Sequence, residues 1–317
     1  MSKYFTPEGI TDKFTALMLS VFLLICGPYK IIVQVKYAAF LVLSIGYIFL
    51  MIAAVIISGR KPGKLNTACI CAVIYVSLTA ASAFISPYFP QTLIGVSRFE
   101  GLLTCVLYCA IFVCMCRFGK LTKEHICIFA LTMILICSIC ILQLAGLNPF
   151  WLYPDGMNYY DAYTYYTGEY MGTIGNADFL SAIITLAMPI FCVSAVKFSG
   201  KTRYITSTGA VMCAAVLIKA GVVSGIVGIC TGIVLLLFLL LGKRKKYFLL
   251  FVTAASICTF FVIYVCNFFH LRDVIAANVP DSWGSGRIKI WRQVLGLTGQ
   301  YLWFGTGPDT MYYCNLE

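Results

Sequence analysis

Successive runs of about 20 apolar residues, broken by short connections that hold most of the cations, leave this chain few ways to fold. Each run is long enough to cross a hydrocarbon core about 30 Å thick as a single helix. The runs fall near 14–33, 37–57, 65–85, 102–118, 125–146, 179–196, 204–220, 224–242 and 247–269, which predicts about nine spans, the seventh being the least apolar. A membrane β-barrel would instead show short alternating segments. The expected fold is therefore all-α: a polytopic membrane helical bundle over residues 1–269, seated in the cell (plasma) membrane. Composition agrees, since 61% of residues are hydrophobic, only 11% are charged and the mean hydropathy is +0.92. A soluble domain of this length is excluded.

The formal net charge of +11 does not point to nucleic acid, because the cations sit in small groups between spans, as the positive-inside rule predicts. Arg60, Lys61 and Lys64, then Arg117, Lys120 and Lys123, then Lys197, Lys201 and Arg203, then Lys243 to Lys246 occupy alternate connections. Those connections and the N-terminus are expected to be cytoplasmic. The connections 86–101, 147–178 and 219–223, and the tail from His270, are then external. Lys30 and Lys36 oppose this assignment. The first apolar run lacks a small-residue cleavage site and reads as a retained helix.

The sixteen cysteines lie mostly inside spans, where cysteine behaves as a small hydrophobe. No histidine or carboxylate accompanies Cys137 and Cys140 at ligand spacing, so neither a metal nor another cofactor is expected. Gly221, Gly225, Gly228 and Gly232 recur on one helical face and predict close helix packing.

Two external stretches break the apolar pattern. Residues 147–178 hold Trp151, seven tyrosines from Tyr153 to Tyr170, and Asp155, Asp161 and Glu169, with no Lys or Arg. This reads as an interfacial aromatic belt, with sugar stacking as the alternative. The tail from His270 carries GSGRIKIW at 284–291 and FGTGPDT at 304–310. Arg287 follows a glycine–serine run at the start of a short amphipathic helix over 287–300. A guanidinium fork beside unpaired helix N–H groups suits a diphosphate, although a headgroup contact would look the same.

Arg98, in SRFEGLLT at 97–104, lies on the side where cations are disfavoured, and pairs with Glu100 or serves an anionic substrate. Lys219 ends a helix on the same side, as a snorkelling lysine or a further cation. GTIGNADFL at 172–180 reads as a glycine turn and then a helix capped by Asn176 or Asp178. Of the two histidines, His125 is assigned to the inner face and His270 to the outer.

Taken in order, SRFEGLLT, GTIGNADFL, GSGRIKIW and FGTGPDT resemble the landmarks of the O-antigen ligase and Wzy-type polymerase superfamily. The resemblance covers the chain from the fourth helix onward. It implies metal-free transfer of an undecaprenyl-diphosphate-linked glycan donor to an acceptor hydroxyl of a glycan, lipid or protein, on the outer face of the membrane. Arg287 matches the loop arginine of that family and Arg98 the arginine of its R-x-E-G segment. Where many members open the eighth span with a Ser-Arg pair, this chain has KAGVVSG, and Lys219 is the nearby cation. The family's outer-loop histidine is expected beyond Glu317, so 270–317 reads as the truncated start of a large extracytoplasmic loop, and His270 is the candidate base within the chain. The competing function is a transporter or flippase for a polar or lipid-linked solute, for which Gln143 and Pro189 are the midplane candidates. A non-catalytic membrane scaffold is a third.

Overall fold

The computed structural model describes residues 5–28, 31–59, 63, 65–96, 98–153, 158–161, 164–167, 171–222, 225–232, 247, 290, 293–294, 297, 301 and 303–314, with backbone alone for 158–161 and 164–167. The helices are α1 (Pro7–Leu19), α2 (Val21–Leu24), α3 (Ile32–Ile57), α4 (Thr67–Ile85), α5 (Phe89–Ile94), α6 (Leu102–Phe118), α7 (Lys123–Leu144), α8 (Ala177–Lys197), α9 (Lys201–Ala220) and α10 (Met311–Cys314). Residues 225–232 are also helical. Among the described residues, α3, α4, α7 and α8 are long and apolar enough to cross a membrane.

The helical expectation holds, with one addition. Strands β1 (Asn158–Asp161) and β2 (Thr164–Thr167) pair antiparallel, Asn158 opposite Thr167. Tyrosine and threonine favour the extended backbone, which is why this tyrosine-rich loop forms a hairpin where the apolar stretches form helices.

The first span departs from its predicted bounds of 14–33. Thr6 caps the Gly9 N–H and Pro7 fixes the first turn, so the helix begins well before the apolar window. It breaks at Ser20, whose hydroxyl donates to the Ala16 carbonyl at 2.6 Å, and resumes only to Leu24. The stop at Leu24 leaves the carbonyls of its last turn for other donors. Lys36 Nζ donates to those of Phe22 and Leu23 at 3.3 and 3.4 Å, and Thr173 Oγ1 donates to that of Leu23 at 2.7 Å.

The chain forms two compact units, Met1–Ile70 with Leu107–Leu235, and Cys71–Val106 with Leu236–Glu317. In the first unit α7, α8 and α9 enclose a core of Met133, Ile136, Cys137, Leu180, Ile184, Phe191, Cys213 and Val216. A second cluster joins α1 to α3, where Phe14 stacks on Tyr47 at 4.0 Å between ring centroids. Outward positions are equally apolar: Val42, Phe49, Ile56 and Leu186 are 70–72% exposed. Such faces match a lipid solvent and would be an aggregation hazard in water.

The helix ends of this unit gather at two opposite sides. The start of α1 meets the start of α7 through Asp12 and His125, the end of α3 through Met51 and the end of α6 through Met115. The starts of α7 and α9 meet through Cys127 and Thr202. At the opposite end the start of α3 lies under Gly175, and Gln143 of α7 accepts the Gly172 N–H. Arg117, Lys120, Lys123, Lys197, Lys201 and Arg203 consequently share one end of the unit. A cavity of about 540 Å³ at that end has Glu8, Asp12, Lys13 and Lys120 in its wall.

Residues 225–232 run alongside α8. A methyl on Gly225, Gly228 or Gly232 would meet Ser181 or Leu217, Thr185 and Pro189 respectively, and Thr185 Oγ1 donates to the Gly225 carbonyl at 3.3 Å. The glycine stripe is thus a packing face. Gly221 is set apart from it as the left-handed cap of α9.

Candidate functional site

In the second unit the structure brings together two of the sequence landmarks, SRFEG and FGTGPDT. Tyr88 precedes α5, which ends at Gly95 with φ +91. The loop then folds back so that the Gly101 N–H donates to the Ile94 carbonyl at 3.2 Å, while Thr104, buried in the first turn of α6, donates from Oγ1 to the Phe99 carbonyl at 2.6 Å. The loop is closed at its base. Arg98 lies at its exposed tip.

FGTGPDT docks on this frame. Ser82 and Ser86 of the end of α4 donate their hydroxyls to the carbonyls of Phe304 and Thr306, the latter at 2.5 Å. Thr310, fully buried, donates to the Thr306 and Gly307 carbonyls at 2.7 and 2.8 Å and so closes the segment into a compact turn. Gly307 is required here: its φ is +96, and a Cβ would stand 2.5 Å from Thr92 Cγ2. Tyr313 of α10 stacks on Tyr88 with centroids 5.4 Å apart.

One carboxylate joins the two landmarks. Asp309 Oδ2 accepts the backbone N–H of Val96 at 2.9 Å and that of Arg98 at 3.2 Å. Gly95 permits this approach, because a Cβ there would lie 2.5 Å from the same oxygen. Asp309 itself, at φ +54, and Phe99, the residue after Arg98, at φ +58, both sit in left-handed backbone. Aspartate tolerates that region and phenylalanine does not, so the surrounding contacts must hold Phe99 there against a cost of about 1–2 kcal/mol. Non-glycine strain of this kind collects at sites with a task.

Residues 208–316 match the family model described as O-antigen ligase. This supports the O-antigen ligase superfamily that the sequence landmarks resemble. No curated protein and no solved structure matches the chain. The O-antigen ligase match takes in GSGRIKIW, FGTGPDT, Lys219, His270 and Arg287, whereas Arg98 and GTIGNADFL lie before it. The structure therefore links a docking partner outside the matched region to a landmark inside it.

Arg287 and His270 fall outside the described residues, though positions 290, 293, 294, 297 and 301 are helical, in keeping with the short helix expected after Arg287. Lys219 is in the other unit, exposed in the last turn of α9, where a cation suits the helix C-terminus. GTIGNADFL is a cap as read: Asn176 accepts the N–H groups of Asp178 and Phe179. The transporter's midplane candidates are engaged in packing, Gln143 on Gly172 and Pro189 against the Gly232 face. His125 is buried at the cation-rich end, where Nε2 meets the Asp12 carbonyl and Nδ1 meets Thr122. Among the described residues no group of three His, Cys, Asp or Glu could hold a metal ion.

The sequence reading did not single out Asp309, Ser82 or Ser86. The signal for Asp309 was present in its company: an Asp after Gly-Pro is a residue suited to left-handed backbone and to accepting N–H groups. The two serines carry no such mark.

Proposed function

We propose that this chain is a membrane glycan ligase or polymerase of cell-envelope polysaccharide synthesis, acting on an undecaprenyl-diphosphate-linked glycan at the outer face of the plasma membrane. The observation that carries the reading is the Asp309 tie between the Arg98 loop and FGTGPDT, in a chain whose residues 208–316 match O-antigen ligase. The acceptor is a hydroxyl of a glycan, lipid or protein. Its oxygen attacks the anomeric carbon, the bond from that carbon to the diphosphate oxygen breaks, and the hydroxyl proton passes to a base. Undecaprenyl diphosphate leaves.

Arg98 and Arg287 are suited to the leaving group, since guanidinium forks bind phosphate oxygens bidentately and stabilise charge that grows in the transition state. Lys219 adds positive potential at an outer helix end, and His270 is the candidate base within this chain. The arrangement assumes about nine spans with the N-terminus inside, residues 1–269 as the membrane domain and 270–317 as external chain. Support for that topology comes from the cations gathered at one end of the first unit, which the positive-inside rule assigns to the cytoplasm.

The test is donor binding and transfer by the purified chain in lipid nanodiscs, in EDTA, following free undecaprenyl diphosphate. Saturable binding of a polyprenyl diphosphate sugar, weakened in Arg98→Ala and Arg287→Ala, is expected. Ion-coupled solute movement without donor binding would favour the transporter and overturn the proposal.

A further inference from the structure

We infer that Asp309 is a positioning residue: its carboxylate fixes the loop 95–101 so that Arg98 meets the donor diphosphate in one orientation. The inference rests on the donor-binding reading of Arg98 and goes beyond it in assigning control of that arginine to the other landmark. Three observations carry it. Asp309 Oδ2 accepts both the Val96 and the Arg98 N–H, so the backbone that bears the guanidinium is held directly at its own amide. The carboxylate is itself anchored, because Ser82, Ser86 and the buried Thr310 fix the carbonyls of the segment that carries it. The backbone at Phe99, one residue beyond Arg98, is left-handed at φ +58, a conformation that an unrestrained phenylalanine would leave.

The physical logic is preorganisation. An arginine on a free loop must lose backbone and side-chain freedom when it grips a diphosphate, whereas one whose amide is already bonded loses less. The tie also stabilises the strained turn only while FGTGPDT is docked. Donor affinity should therefore depend on Asp309 through Arg98 and not through contact with the donor.

The experiment is a double-mutant cycle on the full chain in nanodiscs, read by binding of a polyprenyl diphosphate sugar and by amide hydrogen exchange of the peptide spanning 95–101. Asp309→Ala should speed exchange at Val96 and Arg98 and weaken binding by about tenfold, the scale of a charge-assisted hydrogen bond. Asp309→Asn keeps an acceptor oxygen without the charge and should recover part of the loss in both readouts, which guards against mere misfolding of the alanine variant. In an Arg98→Ala background Asp309→Ala should weaken binding no further. Additive losses would overturn the inference, since Asp309 would then act independently of Arg98, and unchanged exchange in Asp309→Ala would overturn the tie. Normal binding by Arg98→Ala alone would instead sink the donor role of Arg98, with the exchange measurement still deciding the tie.

Discussion

His125 Nε2 lies 3.0 Å from the carbonyl oxygen of Asp12 and 3.3 Å from its carboxylate, which joins the first turn of α7 to the second turn of α1 through a side chain only 3% exposed. The same ring closes the cap of its own helix, for the Thr122 N–H donates to Nδ1 and the His125 N–H donates to Thr122 Oγ1. With Nδ1 accepting, the ring proton sits on Nε2 and points at Asp12. The histidine is structural.

His125→Ala should lower stability by about 1–3 kcal/mol, because it orphans buried partners and opens the cap. His125→Gln should recover part of this, since glutamine at that position completes a capping box. Thermal unfolding in detergent checks it. Loss of transfer with an unchanged melting temperature would give His125 a chemical role that its surroundings do not support.

The glycine stripe should separate packing from propensity. Gly228→Ala puts a methyl 2.5 Å from Thr185 Cγ2 and is expected to destabilise by about 1–3 kcal/mol. Gly46→Ala, in α3, meets nothing within 4 Å and should be neutral or stabilising by up to about 1 kcal/mol. Equal melting temperatures for the two variants would refute close packing at Gly228.

The topology is open to cysteine labelling in a background free of other accessible thiols. Asp12→Cys, Arg60→Cys and Arg244→Cys should resist an impermeant maleimide in intact cells, and Tyr160→Cys and Arg287→Cys should react. Labelling at position 60, or protection at 287, reverses the orientation and removes the outer-face site with it.

Arg287→Ala should weaken binding of a polyprenyl diphosphate sugar, and Arg287→Lys should restore only part of it, because an ammonium lacks the bidentate fork. Titration of donor into each variant measures this. Unchanged affinity in both would leave Arg287 as a headgroup contact.

What could be read from the sequence tracks the range of the interaction concerned. The long helices α3, α4, α7 and α8 follow from hydropathy alone, since lipid forces an apolar stretch of that length into a helix. The Asn176 cap and the glycine stripe were legible for the same reason, each being a local rule. Less was visible where local signals compete. The break at Ser20 lies inside an apolar run, and the six-residue α5 is too short for any periodicity to announce it. Least visible was the tie from Asp309 to Val96, across 213 positions. Both landmarks were recognised as segments, but nothing in either names the other as its partner, and that pairing exists only once α4 and α5 have presented Ser82, Ser86 and Thr92 to the tail.

The docked FGTGPDT segment also acts as a mooring. Ser82 and Ser86 grip it through the carbonyls of Phe304 and Thr306, and Asp309 passes that hold on to the amides of Val96 and Arg98. Loosening the mooring should therefore slacken the Arg98 loop without altering a single contact that the loop makes within itself.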